Sequence, residues 1–226
     1  MALSDSFTQV FDKSKAKGHI CHSNGIWVVA EHEPKATMNR LEVCADGDFV
    51  GFDHDLVKGV ADLSAGMSSK LEDKDCDGIA FLTDKVSKEH LIFAELKSNF
   101  DVQKIAGAFH QIIMSFIKMH AWLSLCKGYD LKNLTVHFIT ACRCCKSKDQ
   151  EDNIMLRISE AQQLGKNNFE TKFLKPLMKN HRISVQMSLF GDIRRLPFHE
   201  SLSDKEVTMY LQLTDTPNDS QTSVIL

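Results

Sequence analysis

The chain has 226 residues, 43% of them hydrophobic and 25% charged. That length buries a sizeable core, and one domain is expected over residues 1–213 with a polar tail after it. No run approaches the roughly 20 apolar residues that span a bilayer, so a membrane partner is excluded. The opening Met1-Ala2-Leu3-Ser4-Asp5 has neither a basic region nor an apolar run, and a cytoplasmic location is the expectation.

The net charge of −3 is unevenly divided. Residues 1–90 hold 10 Lys and Arg against 16 Asp and Glu, whereas residues 91–226 hold 17 against 14. Such an asymmetry permits nucleic-acid binding without demanding it. Seven cysteines, an odd number at low density, read as free thiols in a reducing compartment.

In chain order, residues 4–16 suggest a short amphipathic helix and Gly25–Ala30 a strand. Leu41–Val43 and Phe49–Phe52 read as weaker strands around an Asp46-Gly47-Asp48 turn, and Leu56–Met67 as a short helix. Two apolar strands follow, Cys76–Phe81 and Leu91–Lys97, joined by the polar stretch Thr83–His90, which suits a hairpin. Asp101 caps a long helix, and Phe100 is placed to pack onto Ile105. Val102, Ile105, Phe109, Ile112, Phe116, Met119 and Leu123 recur at helical spacing, so one face of that helix is core, and Gly128 is its expected end.

Leu134–Thr140 reads as a further strand. Residues 153–179 form a second helical region, interrupted near Gly165 and kinked or restarted at Pro176. Ile183–Phe190 and Val207–Leu213 suggest two more strands, and Thr214–Ser223 is polar enough to expect disorder over 214–226. A helix linking strands points to an α/β fold with a central mixed β-sheet flanked by helices.

The chemistry concentrates on the paired strands. Side chains alternate along a strand, so Glu95 and Lys97 share one face and Leu96 takes the other. A hairpin brings Asp77 beside Glu95, which sets two carboxylates and an amine in one pocket. Charges converging on apolar strands imply a bound metal or substrate. An all-oxygen site of this kind suits Mg²⁺ or Mn²⁺ bound by a few carboxylates, waters and a substrate phosphate. With Lys97 as activator or charge sink, the parts required for phosphodiester hydrolysis are present.

Asp77, then Glu95-Leu96-Lys97 between apolar strand residues, then a long helix and a strand resemble the PD-(D/E)xK nuclease superfamily over residues 75–141. The resemblance implies a restriction-endonuclease-like core, with Asp77 and Glu95 as metal ligands and Lys97 as the catalytic lysine. It further implies an auxiliary glutamine on the following helix, matched by Gln111, and an upstream acid, for which Glu42 is the candidate by spacing. The activity implied is Mg²⁺-dependent cleavage of DNA, as an endonuclease of restriction or anti-phage defence, with a homodimer to cut both strands. An exonuclease or RNase on the same fold, or a non-catalytic module that binds nucleic acid or protein, are the alternatives.

Weaker clusters remain. Arg143, Lys146 and Lys148 follow the strand at Leu134–Thr140 and are candidates for phosphate contact. Cys142, Cys144 and Cys145 with His19, Cys21 and His22 lack the spacing of a zinc site and read as reduced thiols and surface imidazoles. Lys166, Lys172, Lys175 and Lys179 read as a solvated helix face, Arg194-Arg195 as a surface turn, and His110 and His120 as packed or exposed histidines.

Overall fold

Strand alternation and one long apolar-faced helix build the centre of the molecule. The computed structural model describes residues 2–9, 18–52, 75–194 and 198–226, the side chains of 192–194 excepted. Its strands are β1 (Ile20–Ala30), β2 (Arg40–Phe52), β3 (Gly78–Asp84), β4 (Glu89–Lys97), β5 (Thr135–Cys142), β6 (Arg182–Gln186), β7 (Glu206–Leu213) and β8 (Gln221–Ile225). They form one mixed sheet in the order β1-β2-β3-β4-β5-β7-β6, with β8 beside β2.

The antiparallel pair β3–β4 is the expected hairpin, its turn fastened by the Asp84 carboxylate accepting from the Val86 and Lys88 amides. The helix α2 (Val102–Leu123) then returns the chain so that β5 runs parallel to β4, as a parallel pair requires a crossover. Asp101 caps this helix, accepting from the Lys104 amide at 2.9 Å. The helix stops at Leu123 rather than at Gly128.

Two apolar cores lie on opposite faces of the sheet. On the first, Ile105, Phe109, Ile112, Phe116 and Met119 of α2 pack on Leu91, Phe93, Val136 and Phe138. Phe93, Phe116 and Phe138 meet edge to face, with ring centroids 5.5 to 5.9 Å apart. Helix α1 (Leu3–Thr8) adds Phe7 against Phe52 and Phe81. On the second face, Trp27, Leu41, Val43 and Val224 pack with Ile92, Ala94, Leu96, Ile139 and Ala141. The Trp27 ring rests so close to Gly78 that a Cβ there would lie 2.9 Å from it, so glycine lets the indole lie over the start of β3.

A polar chain, buried at His137 and Tyr210 and half-buried at Asp84 and His90, crosses the second face. Asp84 Oδ2 is 3.3 Å from His90 Nε2, His90 Nδ1 is 3.0 Å from His137 Nε2, and His137 Nδ1 is 3.2 Å from the Tyr210 hydroxyl.

Several expectations change. β2 is one continuous strand through Asp46-Gly47-Asp48, with no turn there. Gly47 serves close approach instead, since a Cβ would stand 2.3 Å from the Thr83 carbonyl oxygen. The tail expected to be disordered carries β8, which pairs in parallel with the first half of β2 from Arg40↔Gln221 to Cys44↔Ile225. The strand expected over Ile183–Phe190 stops at Gln186, and Ser188–Arg194 is helix α5.

The second helical region starts earlier than expected, as α3 (Lys148–Gln163) capped by Ser147. It breaks at Gly165, then continues as a π-helical turn (Glu170–Leu174) into α4 (Lys175–Asn180). Pro176 sits in the first turn of α4, where its missing amide is harmless. A short α6 (Glu200–Ser203) precedes β7. The first helix is shorter than expected, and residues 10–17 and Leu56–Met67 lie outside the described residues. Among the described residues no helix is long and apolar enough to cross a membrane.

Candidate active site

The β3–β4 register pairs Gly78 with Ala94, and one further step sets Asp77 opposite Glu95. There the side chains take over from the ladder. The Asp77 amide donates to Glu95 Oε2 at 3.0 Å, and the Leu96 amide donates to Asp77 Oδ2 at 2.7 Å. Leu96 itself points to the second core, so Glu95 and Lys97 lie on the α2 face as alternation requires.

Lys97 Nζ donates to Glu95 Oε1 and, at 3.0 Å, to Gln111 Oε1. The Gln111 amide nitrogen in turn donates to the Asp75 carbonyl at 3.2 Å. Asp77, Glu95, Lys97 and Gln111 thus converge where two strand ends meet one helix.

Glu95 is only 1% exposed. Its carboxyl is pushed up to about 8, first by burial and then by the neighbouring Asp77 charge, with Lys97 pulling the other way. At neutral pH Glu95 therefore favours its protonated form.

Further polar residues complete the wall. Lys118 Nζ lies 2.9 Å from Asp75 Oδ1, and both side chains are buried. The Ser115 hydroxyl donates to the same oxygen at 3.5 Å and accepts from the Cys76 amide at 2.9 Å. Gln111, Ser115 and Lys118 form a polar stripe at helical spacing on α2, and Asp75 precedes Asp77 by one strand period. Those spacings are the signals that would have marked Asp75, Ser115 and Lys118. Thr140, which pairs with Glu95 across β4 and β5, is fully buried, and its hydroxyl has no hydrogen-bond partner among the described residues.

The remaining candidates fall elsewhere. Glu42 is not brought to the site. It accepts from Arg40 on its own strand at 2.9 and 3.1 Å. Its neighbours Leu41 and Val43 face the second core, so Glu42 points away from it. Arg143 donates to the carbonyls of Asp219 at 2.9 Å and Asn218 at 3.4 Å, holding the segment that leads into β8. Lys146 and Lys148 are exposed, just beyond the end of β5 that pairs with Lys97.

His110 is buried, and His120 shares a 2.6 Å hydrogen bond with the Tyr129 hydroxyl. Among the described residues no group of three or more His, Cys, Asp or Glu side chains is set to hold one metal ion. The cysteines are free, with Cys142 buried and Cys21 exposed. The side chain of Arg194 and the whole of Arg195 lie outside the described residues. Comparison with protein-family models, curated proteins and solved structures finds no match.

Proposed function

We propose that the chain is a metal-dependent nuclease that hydrolyses phosphodiester bonds in DNA, on a restriction-endonuclease-like core of the PD-(D/E)xK type. One observation carries this reading: a buried Glu95 stands opposite Asp77 at a strand end and accepts from Lys97, which Gln111 holds in place. The donors fit a hard cation. They are carboxylate oxygens only, and Mg²⁺ is commonly held by one or two carboxylates with waters and substrate phosphate. Glu95 resists ionisation until positive charge offsets burial and Asp77.

Asp77 and Glu95 would hold Mg²⁺ or Mn²⁺, which supplies Lewis-acid polarisation of the phosphate and a more acidic bound water. Lys97 directs its ammonium at the attacking water and the equatorial phosphate oxygens, where negative charge accumulates. The water oxygen bonds to phosphorus and releases a proton to solvent as the bond to the leaving sugar oxygen breaks, and that oxygen takes up a proton from solvent. Gln111 keeps Lys97 aimed through its hydrogen bond to the Asp75 carbonyl. Lys118 neutralises Asp75, so this acid does not add to the repulsion of a polyanion. Lys146 and Lys148 offer exposed charge for phosphate contact at the same end of the sheet.

Supercoiled plasmid and single-stranded RNA incubated with Mg²⁺, with and without EDTA, test the reading. Nicking or linearisation of plasmid that EDTA abolishes is expected. Cleavage confined to RNA, or to linear ends, moves the assignment to an RNase or an exonuclease. No cleavage of any substrate leaves a binding module.

A further inference from the structure

The polar chain on the second face has a fixed direction. All four ring nitrogens of His90 and His137 are engaged. His90 Nε2 lies 3.3 Å from Asp84 Oδ2, His90 Nδ1 is 3.0 Å from His137 Nε2, and His137 Nδ1 is 3.2 Å from the Tyr210 hydroxyl. An ionised carboxylate only accepts, so His90 presents an N–H to Asp84. A neutral imidazole carries one N–H, so His90 Nδ1 accepts from His137, and His137 Nδ1 accepts from Tyr210. Each link dictates the next.

An added proton has one favourable place. His90 is half-buried and faces the Asp84 carboxylate. His137 is 5% exposed, its hydrogen-bond partners are an imidazole and a phenol, and the positive charges of Lys88 and Arg182 reach it. Lys88 comes from the β3–β4 turn, where Lys85 is paired in solvent with Asp46. Arg182 comes from β6, its guanidinium 5.4 Å from the centre of the Tyr210 ring. β2 brings Ala45 and Phe49 to this face, neither of them titratable. Charge therefore settles on His90, beside its one carboxylate. With an N–H on both nitrogens, His90 donates toward His137, and every link beyond it turns round.

We propose that Asp84, His90, His137 and Tyr210 form a proton-operated polarity switch: one proton taken up reverses the His90–His137 and His137–Tyr210 hydrogen bonds and turns Tyr210 from donor into acceptor. The protons balance. The His137 Nε2 proton crosses to His90 Nδ1, the Tyr210 proton crosses to His137 Nδ1, and the tyrosine oxygen takes the added proton from solvent. The hydroxyl hydrogen is thereby released from His137, while all three links of the chain persist. Nothing in this device rests on the nuclease reading.

The test uses the full chain, labelled with ¹⁵N-histidine and free of metal, in long-range ¹H–¹⁵N correlation spectra from pH 8 to 4. At pH 8 His90 and His137 should both be Nε2–H tautomers. As His90 becomes imidazolium, His137 should stay neutral and pass to the Nδ1–H tautomer with the same midpoint. His90→Gln should hold His137 in one tautomer throughout. Asp84→Asn, which keeps an acceptor and removes the charge, should lower the shared midpoint by about one pH unit.

A His137 tautomer that is the same at both ends of the range overturns the proposal. So does a His137 that gains charge before His90, or a midpoint that Asp84→Asn leaves unmoved. Unfolding of the parent before His90 is charged overturns it as well, since the chain then does not hold the proton. Should His90→Gln misfold, the shift in Asp84→Asn decides.

Discussion

Gln111 ties Lys97 to the backbone at Asp75: its carbonyl oxygen lies 3.0 Å from Lys97 Nζ, and its amide nitrogen 3.2 Å from the Asp75 carbonyl. The lysine is therefore held in orientation by a helix residue. On the proposed nuclease reading, Gln111→Leu should lower kcat for DNA cleavage by about ten- to a hundredfold, since small misplacements of reacting groups are costly. KM should change little, and stability should fall by only about 1–2 kcal/mol for the lost hydrogen bonds. Steady-state kinetics beside urea denaturation separate the two effects.

The Asp75–Lys118 pair makes a different demand. Both side chains are buried, and removing one partner strands a charge. Lys118→Met should cost about 3–5 kcal/mol, and the double variant Asp75→Asn with Lys118→Met should recover much of that loss. A double-mutant cycle in urea measures it. Additive losses would mean that the pair is not coupled.

Stability should fall toward both ends of the pH scale, each limb for its own reason. Folded Glu95 keeps its proton up to about 8, against an ordinary value of 4.5. Between those values the folded state binds more protons, so stability falls as pH rises. His137 behaves in the opposite sense. Burial first, and then the positive charge that His90, Arg182 and Lys88 can carry, push it down to about 3 from 6.5. Between these the unfolded state binds more protons, and stability falls as pH drops.

Neutral histidines suit this polar chain, with Tyr210 donating to His137, His137 to His90 and His90 to Asp84. Glu95→Gln should flatten the alkaline limb and His137→Gln should shrink the acid one. Urea midpoints from pH 3 to 9 report both, and Mg²⁺ should flatten the alkaline limb of the parent, since it favours the ionised carboxylates.

The C-terminal strand should be integral to the fold. Val224 is buried against the second core, and β8 completes the pairing of the first half of β2. Val224→Ala should cost about 2 kcal/mol. Removing residues 220–226 should lower the melting temperature by more than that single substitution does. Differential scanning calorimetry compares them.

How much of this was legible in the sequence follows from range. Glu95 and Lys97 could be assigned to one face because strand alternation is local, the hairpin brought Asp77 beside Glu95, and Gln111 came only from the family resemblance. The mixed sheet with flanking helices could be expected on the same grounds. Glu42 could not be placed, because the path of β2 depends in part on β8, which is remote in sequence. Asp46-Gly47-Asp48 imitates a turn, yet its glycine answers to a carbonyl on β3. β8 was hidden for the same reason: its polar composition carries one deeply buried side chain, and its pairing partner lies some 180 residues away. Lys118 and Asp75 look like solvated charges until the helix is laid on the sheet.

The central claim, that the oxygens of Asp77 and Glu95 grip a cation, is met most directly by anomalous diffraction from crystals soaked in Mn²⁺. The account expects a peak about 2.0–2.2 Å from one oxygen of each carboxylate, lost in Glu95→Gln. A well-ordered site with both side chains visible, Mn²⁺ in the soak and no density between them would contradict it.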